Sequence, residues 1–125
     1  MLAELKNNKL EKYTEKRPWG NFEQFTHNEK STVKLINVNA HAELSLQYHK
    51  NRNEFWKVIE GTPIILIGDQ KVTASEGDEF FIPRLAHHQI ITESNPARIL
   101  EIAFGEFDEN DIIRIKDKYN RVKNE

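Results

Sequence analysis

The chain has 125 residues, enough for one domain with a sizeable core and too few for two large ones. Eighteen Lys and Arg against twenty Asp and Glu leave a net charge of −2 with both signs interspersed, so there is no basic footprint for nucleic acid. Cysteine is absent, which excludes thiol nucleophiles, disulfides and thiolate ligands and leaves His, Asp, Glu and Gln as ligand types.

Residues 1–16 read as an N-terminal arm, in which Leu2, Leu5 and Leu10 among Lys, Glu and Asn predict a short amphipathic helix or a mobile segment. The arm lacks the apolar centre of a signal peptide, and no run of about 18 apolar residues occurs anywhere. A cytoplasmic protein with no membrane partner is therefore expected. From Trp19 onward the texture changes to short apolar or alternating runs separated by turn residues, the pattern of an all-β sandwich or barrel over 17–125. The predicted strands are NFEQFT, TVKLINV, LSLQYH, EFWKVIEG, TPIILIG, QKVTA, DEFFIP, HHQIIT and ARILEIAF. Turns fall at GDQ (68–70), SEGDE (75–79) and SNPA (94–97). The tail from Asp108, a residue suited to an N-cap, predicts a short C-terminal helix.

Strand alternation places side chains two apart on one face. Gln47 and His49 then share a face, as do Glu54, Trp56 and Val58, with Lys57 on the solvent side. His88 goes with Ile90 to the inside, and His87 with Gln89 to the other face. Gln47, His49, Glu54 and His88 form a donor set suited to one divalent cation: Zn first, with Mn, Fe, Co and Ni as alternatives. Alternation alone does not choose between such a site and histidines hydrogen-bonded within a core. Trp19, Trp56, Phe55 and Tyr48 are similarly open to two readings, as a wall against a sugar ring or as core aromatics.

Spacing adds a further observation. Gln47, His49, Glu54 and Gly61 follow one another at the intervals of the first signature motif of the cupin superfamily, with Gln in place of its first histidine. Gly77, Pro83 and His88 resemble the second motif. Outside the motifs, RPWGNFEQF, EFWKVIEGTPIILIGD, FFIPRLAHHQI and ENDIIRIKDKYNR resemble the cupin domain of type II mannose-6-phosphate isomerases, from about residue 17 to 121. Nothing resembles the nucleotidyltransferase half that accompanies this domain in many of those proteins.

The resemblance implies a single cupin jelly-roll barrel, commonly paired as a homodimer, that binds a metal and interconverts mannose 6-phosphate and fructose 6-phosphate. It puts the metal ligands at Gln47, His49, Glu54 and His88, and phosphate-orienting arginines at Arg17 and Arg52, each of which has the alternative of a surface ion pair. Trp19 and Arg114 join Arg17 and Arg52 as candidates for substrate contact, and Arg52, Glu54 and His87 are candidates for the catalytic groups, with Glu43 as another possible base. Arg114, Tyr119 and Arg121 either close over the barrel mouth or pack the tail. Three departures bear on activity: Lys50 and Asn51 stand where relatives carry histidine, Asn53 and Phe55 replace the Ala and His around the glutamate, and Leu85 replaces a glycine in the loop before His88. They keep open two alternatives: a sugar-binding cupin without catalysis, and an isomerase or epimerase of another sugar phosphate or a nucleotide sugar.

Overall fold

The computed structural model describes residues 12–119 and residue 121. Eleven strands are found among them: β1 (Tyr13–Arg17), β2 (Gly20–Gln24), β3 (Ser31–Val38), β4 (Leu46–Tyr48), β5 (Glu54–Glu60), β6 (Ile64–Ile67), β7 (Gln70–Thr73), β8 (Glu79–Ile82), β9 (His88–Ile91), β10 (Ala97–Phe104) and β11 (Ile113–Lys116). All nine segments expected from alternation are strands, with ends within two residues of expectation.

Two strands lie where helix was expected. Asp108 caps a turn and not a helix: its Oδ1 accepts the Asn110 N–H at 2.9 Å and its carbonyl the Asp111 N–H at 3.0 Å. The β-branched residues that follow, Ile112, Ile113 and Ile115, favour an extended chain. Tertiary pairing completes the choice, setting Ile113 opposite Tyr48 and Arg114 opposite Gln47. At the other end, Tyr13–Arg17 pair with β2 as a hairpin. The rest of the expected N-terminal helix, residues 1–11, lies outside the described residues.

Two antiparallel sheets face each other, one ordered β3-β10-β5-β8 and the other β11-β4-β9-β6-β7. This is a jelly-roll barrel of two interleaved Greek keys. Its core is the inner face of both sheets, with Trp56, Val58, Phe80, Ile82 and Ile99 from the first meeting Ile65, Ile67 and Ile90 from the second. Each such side chain contributes about 1.5–3 kcal/mol by leaving water. Gly61 ends β5 at φ +90°, and a Cβ there would lie 2.4 Å from the Pro96 carbonyl oxygen, so the close crossing of the two segments requires glycine.

The outer face of the four-stranded sheet is partly covered. Phe25, just after β2, packs its ring 5.3 Å from that of Phe55, and Lys57 reaches Glu23 at 3.4 Å. Beyond that cover Val33, Leu35 and Ile59 remain exposed.

Candidate metal centre

Three side chains converge at one end of the inner face. His49 follows β4, Glu54 opens β5 and His88 opens β9, and each is 2% exposed or less. One ligand atom from each lies within 4.8 Å of the others. The closest approaches are His49 Nε2 to Glu54 Oε2 at 3.4 Å and His88 Nε2 to Glu54 Oε1 at 3.8 Å.

The histidines are oriented through their other nitrogens. His49 Nδ1 lies 2.6 Å from the Asp111 carbonyl oxygen and His88 Nδ1 lies 2.9 Å from that of Ala86. A carbonyl can only accept, so both rings carry their proton on Nδ1 and turn an Nε2 lone pair toward Glu54. Burial keeps both rings neutral: it pushes the His49 pKa down and holds that of His88 down at about 3.

These residues fit a divalent cation on three counts. The donors are neutral nitrogens and a carboxylate; each histidine is held by a backbone carbonyl in the manner usual for metal ligands; and Glu54 Oε1 and His88 Nε2 are buried with no hydrogen-bond partner. Orphaned buried polar atoms are costly, on the order of 1–3 kcal/mol each, and a cation between them removes that cost. Their spacing is close to the about 3.4 Å that separates ligands of a tetrahedral ion with bonds of about 2.1 Å. Gln47 pairs in register with His88, so its side chain leaves β4 on the same face. Its Oε1 accepts the Ser45 hydroxyl at 2.6 Å and retains a second lone pair.

Arg52 is buried beside the cluster. Its Nε donates to Glu54 Oε2 at 2.8 Å, its Nη1 to the Asp108 carbonyl at 3.1 Å, and its Nη2 lies 3.3 Å from His49 Nε2. The guanidinium also stacks over Phe107 at 4.5 Å. Arg52 is therefore committed to holding the Glu54 carboxylate.

Other sequence candidates lie apart from this group. His87 is exposed and stacks on Tyr48 with ring centroids 5.0 Å apart, on the face opposite His88. Glu43 accepts from Gln89 on that same side. Arg17 pairs with Glu15 and lies over Phe22, while Trp19 is 73% exposed at the β1–β2 turn. No hydrogen bond, ion pair or ring contact among the described residues joins Arg17 or Trp19 to the ligands. Trp56 and Phe55 are buried on opposite faces of β5. Arg114 is half-buried on β11 directly opposite Gln47.

Two functional neighbours escaped the sequence reading. Glu101 sits opposite Trp56 and accepts its indole N–H at 3.1 Å. Burial, with the charge of Glu54 next, pushes the Glu101 carboxyl up to about 7, against the pull of the indole. The alternation Ile99, Glu101, Ala103 already put a carboxyl on the inner face, which was a usable signal. Asp111 had none: its carboxylate accepts the N–H groups of Lys50 and Asn51 at 2.8 and 2.9 Å across 60 residues of chain.

The two packed sheets with a buried His–Glu–His group at one end define a cupin with a candidate metal centre. Residues 5–117 match the family described as mannose-6-phosphate isomerase C-terminal, and the chain belongs to that family. It is 34% identical over 108 residues to the xanthan biosynthesis protein XanB of Xanthomonas campestris pv. campestris, covering 85% of this chain and 23% of that protein. It is 33% identical over 111 residues to the mannose-1-phosphate guanylyltransferase ManC of Salmonella typhimurium, covering 85% and 22%. The chain thus spans less than a quarter of the length of these relatives. Among solved structures, a cupin-2 domain protein of Shewanella frigidimarina superposes with a TM-score of 0.54 at 26% identity, covering 64% of this chain and 74% of that one.

Proposed function

We propose that this chain is a metal-dependent sugar-phosphate isomerase that interconverts mannose 6-phosphate and fructose 6-phosphate, supplying precursors for polysaccharide biosynthesis in the cytoplasm. The observation that carries the reading is the buried His49, Glu54 and His88 group in a chain of this family. With Gln47 these residues would hold one divalent ion, zinc before manganese, iron, cobalt or nickel, since neutral imidazoles and a single carboxylate suit a borderline cation. When bound, the ion supplies Lewis acidity that makes the C–H beside the sugar carbonyl easier to deprotonate.

The protein's own groups do the rest. His49 and His88 stay neutral because they are buried, against the opposing pull of the backbone carbonyls that hold their Nδ1 protons. Arg52 neutralises Glu54 and fixes one of its oxygens. Aldose to ketose exchange moves the C2 proton to C1 and the O2 hydroxyl proton to O1 of the open sugar, and for the carbon-bound proton a carboxylate on the inner face is the carrier this geometry favours, because His87 and Glu43 face the other way. Glu54 fills that role in this reading, through a carboxylate lone pair that neither Arg52 nor the ion takes, and the catalytic set is Glu54 with Arg52. His87→Ala retains turnover on this account.

A second reading, a cupin that binds the sugar phosphate without isomerising it, rests on Lys50 and Asn51, which are exposed at positions where the family resemblance leads one to expect histidine. Metal analysis followed by a coupled assay of fructose 6-phosphate formation, with Zn, Mn, Co or Ni added, divides the two. Turnover lost on His49→Ala supports the isomerase. Binding of mannose 6-phosphate without turnover under any metal supports the second reading, and wild-type protein that takes up no metal overturns the centre itself.

A further inference from the structure

A cleft of about 430 Å³ runs along β11 and the tail beyond it, lined by Asn110, Ile112, Ile113, Arg114, Ile115 and Arg121 and by one carboxylate, the exposed Glu109. β11 is the edge of the five-stranded sheet. None of the three ligands lines this cleft. Register nevertheless connects it to them, because Arg114 pairs with Gln47 and Gln47 pairs with His88. Directly opposed residues on antiparallel strands leave the sheet on the same face. Arg114 therefore stands two strand spacings, about 10 Å, from His88 on the inner face.

Arg114 is distinguished by what it lacks. Its Nε is shut off from solvent without a hydrogen-bond partner, and among the described residues no carboxylate lies within ion-pair distance of its guanidinium. Arg52 is committed to Glu54, Arg121 to Asp117 and Arg17 to Glu15, while Arg84, beside the ligand loops, is exposed and donates to the Lys50 carbonyl at 3.3 Å. A guanidinium with a buried unpaired N–H is costly unless an anion completes it, and its planar fork matches phosphate oxygens.

We propose that Arg114 and this cleft hold the substrate's phosphate, and that the ligand selected is a phosphomonoester on a carbon remote from the carbonyl carbons. This rests on the sugar-phosphate reading above. One arginine with a buried, unpartnered Nε suits a monoester. No aromatic side chain lines the cleft among the described residues, so there is no stacking platform for the base of a nucleotide sugar.

The test is calorimetric titration of the metal-loaded protein, as wild type, Arg114→Ala and Arg114→Lys, with mannose 6-phosphate, mannose and inorganic phosphate. Arg98→Ala, at an exposed position on the outer face of β10, is the control. The proposal expects mannose 6-phosphate and inorganic phosphate to bind at least tenfold more weakly to Arg114→Ala, with partial recovery in Arg114→Lys, no change in Arg98→Ala and no change for mannose. Equal mannose 6-phosphate affinity in wild type and a folded Arg114→Ala overturns it while leaving the isomerase reading intact. If wild type binds inorganic phosphate in an Arg114-dependent way but not mannose 6-phosphate, the cleft stands and the substrate reading falls. Should Arg114→Ala fail to fold, Arg114→Lys and competition between the two phosphates on wild type decide the matter: phosphate that does not displace mannose 6-phosphate overturns the shared site.

Discussion

At the scale of single residues, two side chains depart from what their positions ask for. Leu85 takes φ +74° where the family resemblance leads one to expect glycine, so the loop before His88 has a left-handed turn and bears the strain of a Cβ. Its N–H donates to the His49 carbonyl at 2.7 Å, and Asn53, another departure, accepts the N–H of Arg84 at 2.8 Å. These two bonds tie both motif loops together and offset the strain. Since Leu85 is 53% exposed and buries little, Leu85→Gly should leave folding unharmed or raise stability by about 1 kcal/mol, as read by urea denaturation. A loss of more than 1 kcal/mol would show that Leu85 packs more than its exposure indicates.

Glu101 is the second such residue. Its folded pKa is raised from 4.5 to about 7, so the native chain holds its proton when the unfolded chain has lost it. Stability from this group is complete below 4.5 and is lost as pH rises through 7. Glu101→Gln should therefore raise the melting midpoint of metal-free protein at pH 8, by on the order of 2 kcal/mol in stability, and leave it unchanged at pH 4. The histidines act with the opposite sign. Their folded pKa values lie below 6.5, so their contribution is present above 6.5 and is lost as pH falls toward 3. Metal-free protein should accordingly unfold in acid even when Glu101 is replaced.

At the scale of elements, the loop after β4 and the segment before β11 behave as one unit. Asp111 receives His49 on its carbonyl and two backbone N–H groups on its carboxylate. Those bonds hold the Asp111 carboxyl below its ordinary range, despite its partial burial. Asp111→Ala keeps the carbonyl and frees the loop, so zinc affinity should fall by roughly tenfold, the usual penalty when the groups orienting a ligand are disturbed. A chelator competition titration reads this directly, and unchanged affinity would mean that the carbonyl alone positions His49. Gly61 fails differently. Its substitution by Ala drives a Cβ into the Pro96 carbonyl at a positive φ, and a loss of about 2 kcal/mol or more is expected by chemical denaturation.

For the whole molecule, the exposed Val33, Leu35 and Ile59 lie on the outer face of the four-stranded sheet, of which β3 is one edge. We propose that this apolar face, beside an edge that no described strand covers, pairs two copies of the chain as the homodimer expected from the cupin resemblance. Leu35→Asp should convert it to a monomer, as measured by light scattering during size exclusion; wild type that is already monomeric at tens of micromolar sinks the dimer. No described helix is long and apolar enough to cross a membrane.

By itself the sequence determined the nine alternating strands, the inward faces of β5 and β9 and the spacing that aligned Gln47, His49, Glu54 and His88 with a motif. These are local properties: period-two burial needs no knowledge of what lies opposite. The same reading had the inward Glu101 within reach, in ARILEIAF, and passed over it. Tertiary structure alone decided the rest. The tail became β11 because β4 offered it an open edge, an influence that outweighs a capping residue. The roles of Arg52 and Arg114 separated because one finds Glu54 within hydrogen-bond distance and the other finds no carboxylate among the described residues. Asp111 entered the site from about 60 residues away, through backbone groups that carry no residue-type signal.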